Sequence, residues 1–232
     1  MTIGPILLLG FLLGMRHATD ADHVVAVSTI VSREHSLRAA APIGILWGLG
    51  HTFTILLVGG AIVLFGVAIP PRLGLGMEFS VALMLISLGA LNLRGVLRQA
   101  RALPFADQAR AGAHHHGYPD VEPRSLRPLF VGIVHGLAGS AAIALLVLGT
   151  IREPVWALAY LVVFGVGTIA GMLIITLAMA MPIAASAHRF KRVHFAFAIL
   201  TGLASVAFGG VLAYQIGFVQ GLFTTHPQWT PE

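Results

Sequence analysis

Six long apolar runs dominate this chain, each near or above the ~20 residues an α-helix needs to cross hydrocarbon. They extend roughly over Ile3–Ser32, Ile43–Ile69, Phe79–Leu97, Leu129–Ile151, Val155–Ala178 and Phe195–Val219. Their apolar residues are continuous rather than alternating, which excludes the strands of a membrane barrel. What remains cannot clothe a water-soluble surface. Charged residues are 10% of the 232, against about 25% in soluble domains. The expected fold is an all-α membrane protein with six transmembrane helices. Pro42, Pro70, Pro71, Pro104, Pro128, Pro154 and Pro182 punctuate the runs near their ends. The first run has no basic stretch ahead of it and flows into a polar cluster, unlike a cleavable leader. There is no cysteine, so disulfides and thiolate metal sites are excluded.

Basic residues set the expected orientation. The first, third and fifth connections carry Arg33, Arg38, Arg94, Arg98, Arg101, Arg110, Arg124, Arg127, Arg189, Lys191 and Arg192; the other side carries only Arg72 and Arg152. Positive residues stay in the cytoplasm, so a multi-pass protein of a bacterial-type inner (plasma) membrane is expected, with both termini outside. The net charge of +5 sits between the apolar runs. Its expected partner is the headgroup layer of the lipid bilayer and not nucleic acid. Trp47, Trp156 and Trp229 fit interfacial anchoring.

The chain also repeats itself. Gly14-Met15-Arg16-His17 returns as Gly132-Ile133-Val134-His135, 118 positions on, and Gly48-Leu49-Gly50-His51 as Gly165-Val166-Gly167-Thr168, 117 on. Gly95-Val96-Leu97 returns as Gly210-Val211-Leu212. Three helices per half is an odd number, so the second half must lie upside down, as two inverted three-helix repeats. Transporters recurrently use this plan, with the substrate held near the midplane. The expected organisation is a first repeat over 1–97, a cytoplasmic loop over 98–128 and a second repeat over 129–232.

Inside the first apolar run stand Arg16, His17, Asp20, Asp22 and His23. A charged side chain at mid-bilayer depth costs about 2.5–3.5 kcal/mol on insertion scales, and such groups mark ion or substrate pathways. At about 100° per residue, His17, Asp20 and His23 share roughly a third of the helix circumference, whereas Asp22 lies about 140° from His17. Asp22 reaches the same cavity only where the helix is broken. The length of the run calls for tilt or such a break. Arg16, four residues before Asp20, is spaced for an ion pair with it. Imidazole and carboxylate without sulfur suit Ni²⁺, Co²⁺ or Zn²⁺ and fit Cu(I) badly.

The segment Arg16-His17-Ala18-Thr19-Asp20-Ala21-Asp22-His23 resembles the His-x4-Asp-His signature of the nickel/cobalt transporter family. Leu49-Gly50-His51-Thr52 is similar to that family's second motif. The resemblance implies that His17, Asp22 and His23 are core metal-site residues, that His51 joins them, and that Ni²⁺ or Co²⁺ is the transported substrate. The downstream Asp-Asn pair and the later acidic motifs of well-characterised members are absent. His135-Gly136-Leu137-Ala138-Gly139-Ser140 stands in their place and resembles short bacterial nickel-transport or urease-accessory membrane proteins.

The expected metal residues are therefore His17, Asp20, Asp22, His23 and His51, with Arg16, Thr52, His135 and Ser140 along the path or behind the ligands. His114, His115 and His116 suit loose metal capture on the cytoplasmic loop. No phosphate-binding loop for ATP exists in the chain, and no enzymatic activity is expected. The function expected is uptake of a divalent transition metal. Its rivals are export by the same superfamily, an intramembrane metalloenzyme, a bis-histidine haem protein pairing His51 with His135, and an assembly subunit of a metal-handling complex. A metallochaperone and self-association are compatible with the sequence without being specified by it.

Overall fold

A computed structural model describes residues 3–32, 34, 36–67, 69–109, 126–137, 147–151, 153–187 and 191–229, with the backbone alone for 101–109, 184–187 and 191–193. Among the described residues it is all-helical: α1 (Ile3–His17), α2 (Ala21–Val31), α3 (Leu37–Phe65), α4 (Pro71–Ala109), α5 (Arg127–His135), α6 (Pro154–Ala187) and α7 (Lys191–Tyr214), which runs on into one π turn, Gln215–Val219.

Among the described residues, four stretches are long and apolar enough to cross a membrane: Leu37–Phe65, Pro71–Ala100, Pro154–Ile183 and His194–Val219. They account for four of the six expected spans. The first expected span is not one helix. It divides into α1, of 15 residues, and α2, of 11, about 22 and 16 Å long, and neither alone covers the ~30 Å of hydrocarbon. Of the fourth expected span only 129–137 and 147–151 are described. The loop with His114, His115 and His116, and Ser140 beyond α5, lie outside the described residues.

Local chemistry sets the ends. Pro71 and Pro154 open α4 and α6, and Pro128 sits in the first turn of α5, where a missing N–H costs no hydrogen bond. Ser36 caps α3 by accepting from the Ala39 N–H at 3.2 Å. Gly66 closes the same helix at φ 61°, a left-handed conformation that only glycine adopts without strain.

The helices pack through small residues. Helices α1 and α6 run parallel: Gly10 faces Tyr160, Gly14 faces Phe164 and Thr168, and Gly171 faces Met15 and Ala18. Helices α3 and α5 also run parallel, with Gly132 against Trp47 and His51 and Gly136 against His51 and Thr54. Helices α3 and α6 are antiparallel; Gly44 meets Met172 and Thr176, and Gly48 meets Ile169. So are α4 and α7, where Asn92 Nδ2 donates to the Ala198 carbonyl at 2.8 Å and Ser205 Oγ to the Leu85 carbonyl at 2.8 Å. Apolar chains cover the outside as well, Phe53, Leu57, Leu91, Phe130 and Leu200 being exposed. Helices apolar on both faces are built for lipid.

Gly50→Ala would drive a methyl group onto the Leu129 carbonyl oxygen and the Ile133 amide. Forcing α3 and α5 apart should cost about 1–3 kcal/mol, seen as a lower thermal midpoint of the detergent-solubilised protein. Gly210→Ala, with nothing within 4 Å of the new methyl, should leave the midpoint unchanged or slightly raised.

Candidate metal centre

The centre forms where the first apolar run breaks. After His17 the chain makes a tight turn, with Thr19 N–H donating to Arg16 O at 2.8 Å and Asp20 N–H to His17 O at 3.1 Å. The Thr19 hydroxyl also donates to Arg16 O, at 2.6 Å. Thr and Asp side chains compete with helical hydrogen bonding in this way. Asp20 then takes an extended conformation, φ −62° and ψ 147°, and becomes the N-cap of α2. Its carboxylate makes no cap hydrogen bond; it accepts from His17 Nδ1–H at 2.8 Å instead. The expected Arg16–Asp20 pair is therefore not made, and Arg16 is exposed.

The break brings Asp22 inward. Its Oδ1 accepts from both the backbone N–H and the Nδ1–H of His23, each at 2.9 Å, and its Oδ2 accepts from His135 Nε2–H at 2.8 Å. An unbroken helix would have turned this carboxylate away. His23, His51 and His135 are 0, 1 and 0% exposed, and His17 is 5% exposed. Four imidazoles from α1, α2, α3 and α5 thus share one interior.

Their nitrogens are incompletely satisfied. His17 Nε2 lies 2.9 Å from His51 Nε2. Because His17 Nδ1–H donates to Asp20, the neutral ring presents a lone pair at Nε2. His51 answers with a proton, leaving its own Nδ1 unpartnered, or with a second lone pair, and two facing lone pairs require a cation. His23 Nε2, His51 Nδ1 and His135 Nδ1 are buried without hydrogen-bond partners, although buried polar groups in proteins are nearly always paired.

Two sets of donors are close enough for a metal ion: His17, His23 and His51, and Asp22, His23 and His135, in each case with donor atoms within 4.8 Å of one another. Asp20 and Asp22 hold the Nδ1 edges of His17 and His23, the arrangement by which carboxylates orient metal-binding imidazoles. The helix ends contribute too: α1 stops at His17 and α5 at His135, so two C-terminal ends, which are partially negative, terminate at the cluster.

Trp47, expected at the membrane interface, is buried at 0% exposure and stacks on His23 at 6.1 Å and 14°. It walls the centre with an apolar ring, and its spacing four residues before His51 was the available signal. Thr52 points elsewhere, its hydroxyl donating to Gly165 O at 3.1 Å and stitching α3 to α6. His51 presents Nε2 to His17 and not to His135, so the pair of opposed imidazoles a haem needs is not formed.

The chain is 38% identical over 221 residues to urease accessory protein UreH of Bacillus sp. (strain TB-90), an alignment covering 94% of each chain. It belongs to the UreH family. Membership is consistent with the nickel/cobalt-transporter resemblance carried by the His17–His23 and Leu49–Thr52 motifs. No protein-family model matches the chain, and no solved structure matches it.

Asp20 touches one imidazole of this UreH-family centre and Asp22 touches two. Any divalent metal held by these donors should bind about 10–100-fold more weakly to Asp20→Asn, the usual effect of losing such an orienting carboxylate. Asp22→Asn, which removes the carboxylate facing His23, should weaken that binding to a similar extent, with titration calorimetry on purified protein as the measure.

Proposed function

We propose that this protein is an integral membrane transporter of a divalent transition metal, Ni²⁺ and/or Co²⁺, working in the direction of uptake. The observation that carries the reading is the convergence of His17, His23 and His51 in an apolar bundle, with His23 Nε2 and His51 Nδ1 buried and without hydrogen-bond partners. The ion is substrate and not a resident cofactor. Imidazole and carboxylate donors without sulfur suit Ni²⁺ or Co²⁺, and His17 Nε2 and His51 Nε2 already lie 2.9 Å apart. The name of the relative, a urease accessory protein, agrees with nickel.

Packing supports the inverted-repeat architecture. A Cβ at Gly14 would strike Phe164 O and Thr168 N; one at Gly132 would strike Trp47 O and His51 N. Gly132 lies 118 positions after Gly14, while Phe164 and Thr168 lie 117 after Trp47 and His51. The same exchange relates Gly50 on Leu129 to Gly167 on Phe11. The first helix of each half thus packs on the second helix of the other half in matching register. Because α3 and α6 are antiparallel, the two halves would be related by an axis in the membrane plane.

On this reading α1 and α2 form a discontinuous span, with the metal held at the break. The cytoplasm is negative, so a potential of 100 mV would favour entry of a divalent ion by about 4.6 kcal/mol. His17→Ala and His23→Ala should each abolish nickel accumulation in a host lacking its own uptake system, while membrane expression persists. Wild-type accumulation by His17→Ala would remove the site assignment, and lowered cellular nickel on expression of the native protein would reverse the direction. Nickel at 100 times Kd should stabilise the native protein by about 2.7 kcal/mol, and His23→Ala should erase that rise in thermal midpoint.

A further inference from the structure

His23 belongs to both donor sets, and its two nitrogens leave the ring from opposite edges. Nδ1 faces Asp22 Oδ1 at 2.9 Å. Nε2 is buried and unpartnered, and the ring stands 4.7 Å from His17 and 5.1 Å from His51. On the Asp22 side, the carboxylate's other oxygen holds His135 Nε2 at 2.8 Å, with the His23 and His135 rings 4.2 Å apart. His135 brings a second unpartnered nitrogen, Nδ1, into the same interior. Its helix, α5, is held against α3 by the bare backbones of Gly132 and Gly136. The pairing of His135 with Asp22 therefore depends on how α5 sits on α3.

Resting on the transport reading, we propose that the metal has two adjacent stopping places that share His23. The first is His17, His51 and His23 Nε2. The second is Asp22, His135 and His23 Nδ1. A neutral imidazole has one lone pair and one N–H, so His23 serves one place at a time and the two exclude each other. With the ion in the first place, His23 Nδ1–H donates to Asp22. When the ion crosses, the His23 proton is given up at Nδ1 to water and regained at Nε2, and that of His135 is given up at Nε2 and regained at its unpartnered Nδ1. Each ring carries one proton before and after, the water is returned unchanged, and Asp22 exchanges two N–H donors for the ion. His135 is thereby a hand-over ligand, needed for passage and dispensable for capture, and Trp47, beside both rings at 6.1 and 5.5 Å, walls the crossing.

The test uses the full-length protein in nanodiscs and proteoliposomes, with Co²⁺ as the probe for its visible absorption. Wild type should bind one Co²⁺ per chain. His135→Ala, and His135→Gln (which keeps a donor for Asp22), should retain one Co²⁺ with the wild-type spectrum and affinity while Co²⁺ flux falls about 10–100-fold, the loss typical of removing a metal-site residue. His51→Ala should instead change the spectrum and weaken capture. Two Co²⁺ per chain at saturation, a shifted spectrum in both His135 variants, or wild-type flux through both would each overturn the hand-over while leaving the transport site standing. A wild-type protein that binds neither Co²⁺ nor Ni²⁺ would overturn the transport reading itself.

Discussion

The structure is organised around a solvation problem. Two carboxylates and four imidazoles meet among the largely apolar helices of the bundle. Taken singly, such groups are expensive in hydrocarbon. Here each carboxylate accepts from imidazole N–H, His17 Nε2 faces His51 Nε2, and His23 Nε2, His51 Nδ1 and His135 Nδ1 are left without partners. Hydrogen bonding alone closes only part of that account. On the proposed reading a divalent cation would close the rest, taking up the facing lone pairs and offsetting the charge of Asp20 and Asp22 together.

The helix break serves the same end. Asp20 ends one hydrogen-bond ladder and starts another, yet its carboxylate turns back to His17 when it would ordinarily cap α2. The turn costs some helical hydrogen bonding. In exchange it swings Asp22 to the inside and leaves the carbonyl end of α1 facing the cluster. The small residues of α3, α5 and α6 complete the arrangement. Gly14, Gly50, Gly132 and Gly167 allow backbone-to-backbone contact, which brings His51 and His135 within reach of a site seeded by a different helix.

Much of this was legible in the residues. The apolar runs define the helical membrane class, and α3, α4, α6 and α7 lie over the runs assigned to them. Charged groups within the run Ile3–Ser32 mark the centre. Of the glycines that suggested an internal repeat, Gly14, Gly48, Gly50, Gly132, Gly165 and Gly167 are ones whose missing side chains let helices meet, whereas Gly210 faces open space. Other features were beyond a helical wheel. The wheel placed Asp20 with His17 and His23 and set Asp22 apart, because a uniform helix cannot foresee where it will break. It also spaced Arg16 for a pair with Asp20, whereas the turn gives Asp20 to His17 and leaves Arg16 exposed. Trp47 was placed at the interface by residue type, since nothing local records that its ring would lie against His23 and His135 of other helices.

Composition and order along the chain determined the solvent this protein is built for, the helices it forms and the residue types available to meet a cation. Those properties are local: they follow from the hydropathy of each run and the residues at its ends. Which nitrogens meet, which carboxylate supports which imidazole, and that His135 joins a cluster encoded more than a hundred positions earlier were decided by tertiary packing. The physical reason is range, because hydrogen bonds and metal ligation act over about 2–3 Å. Only the close approach of α1, α3 and α5 brings atoms so distant in sequence within that distance.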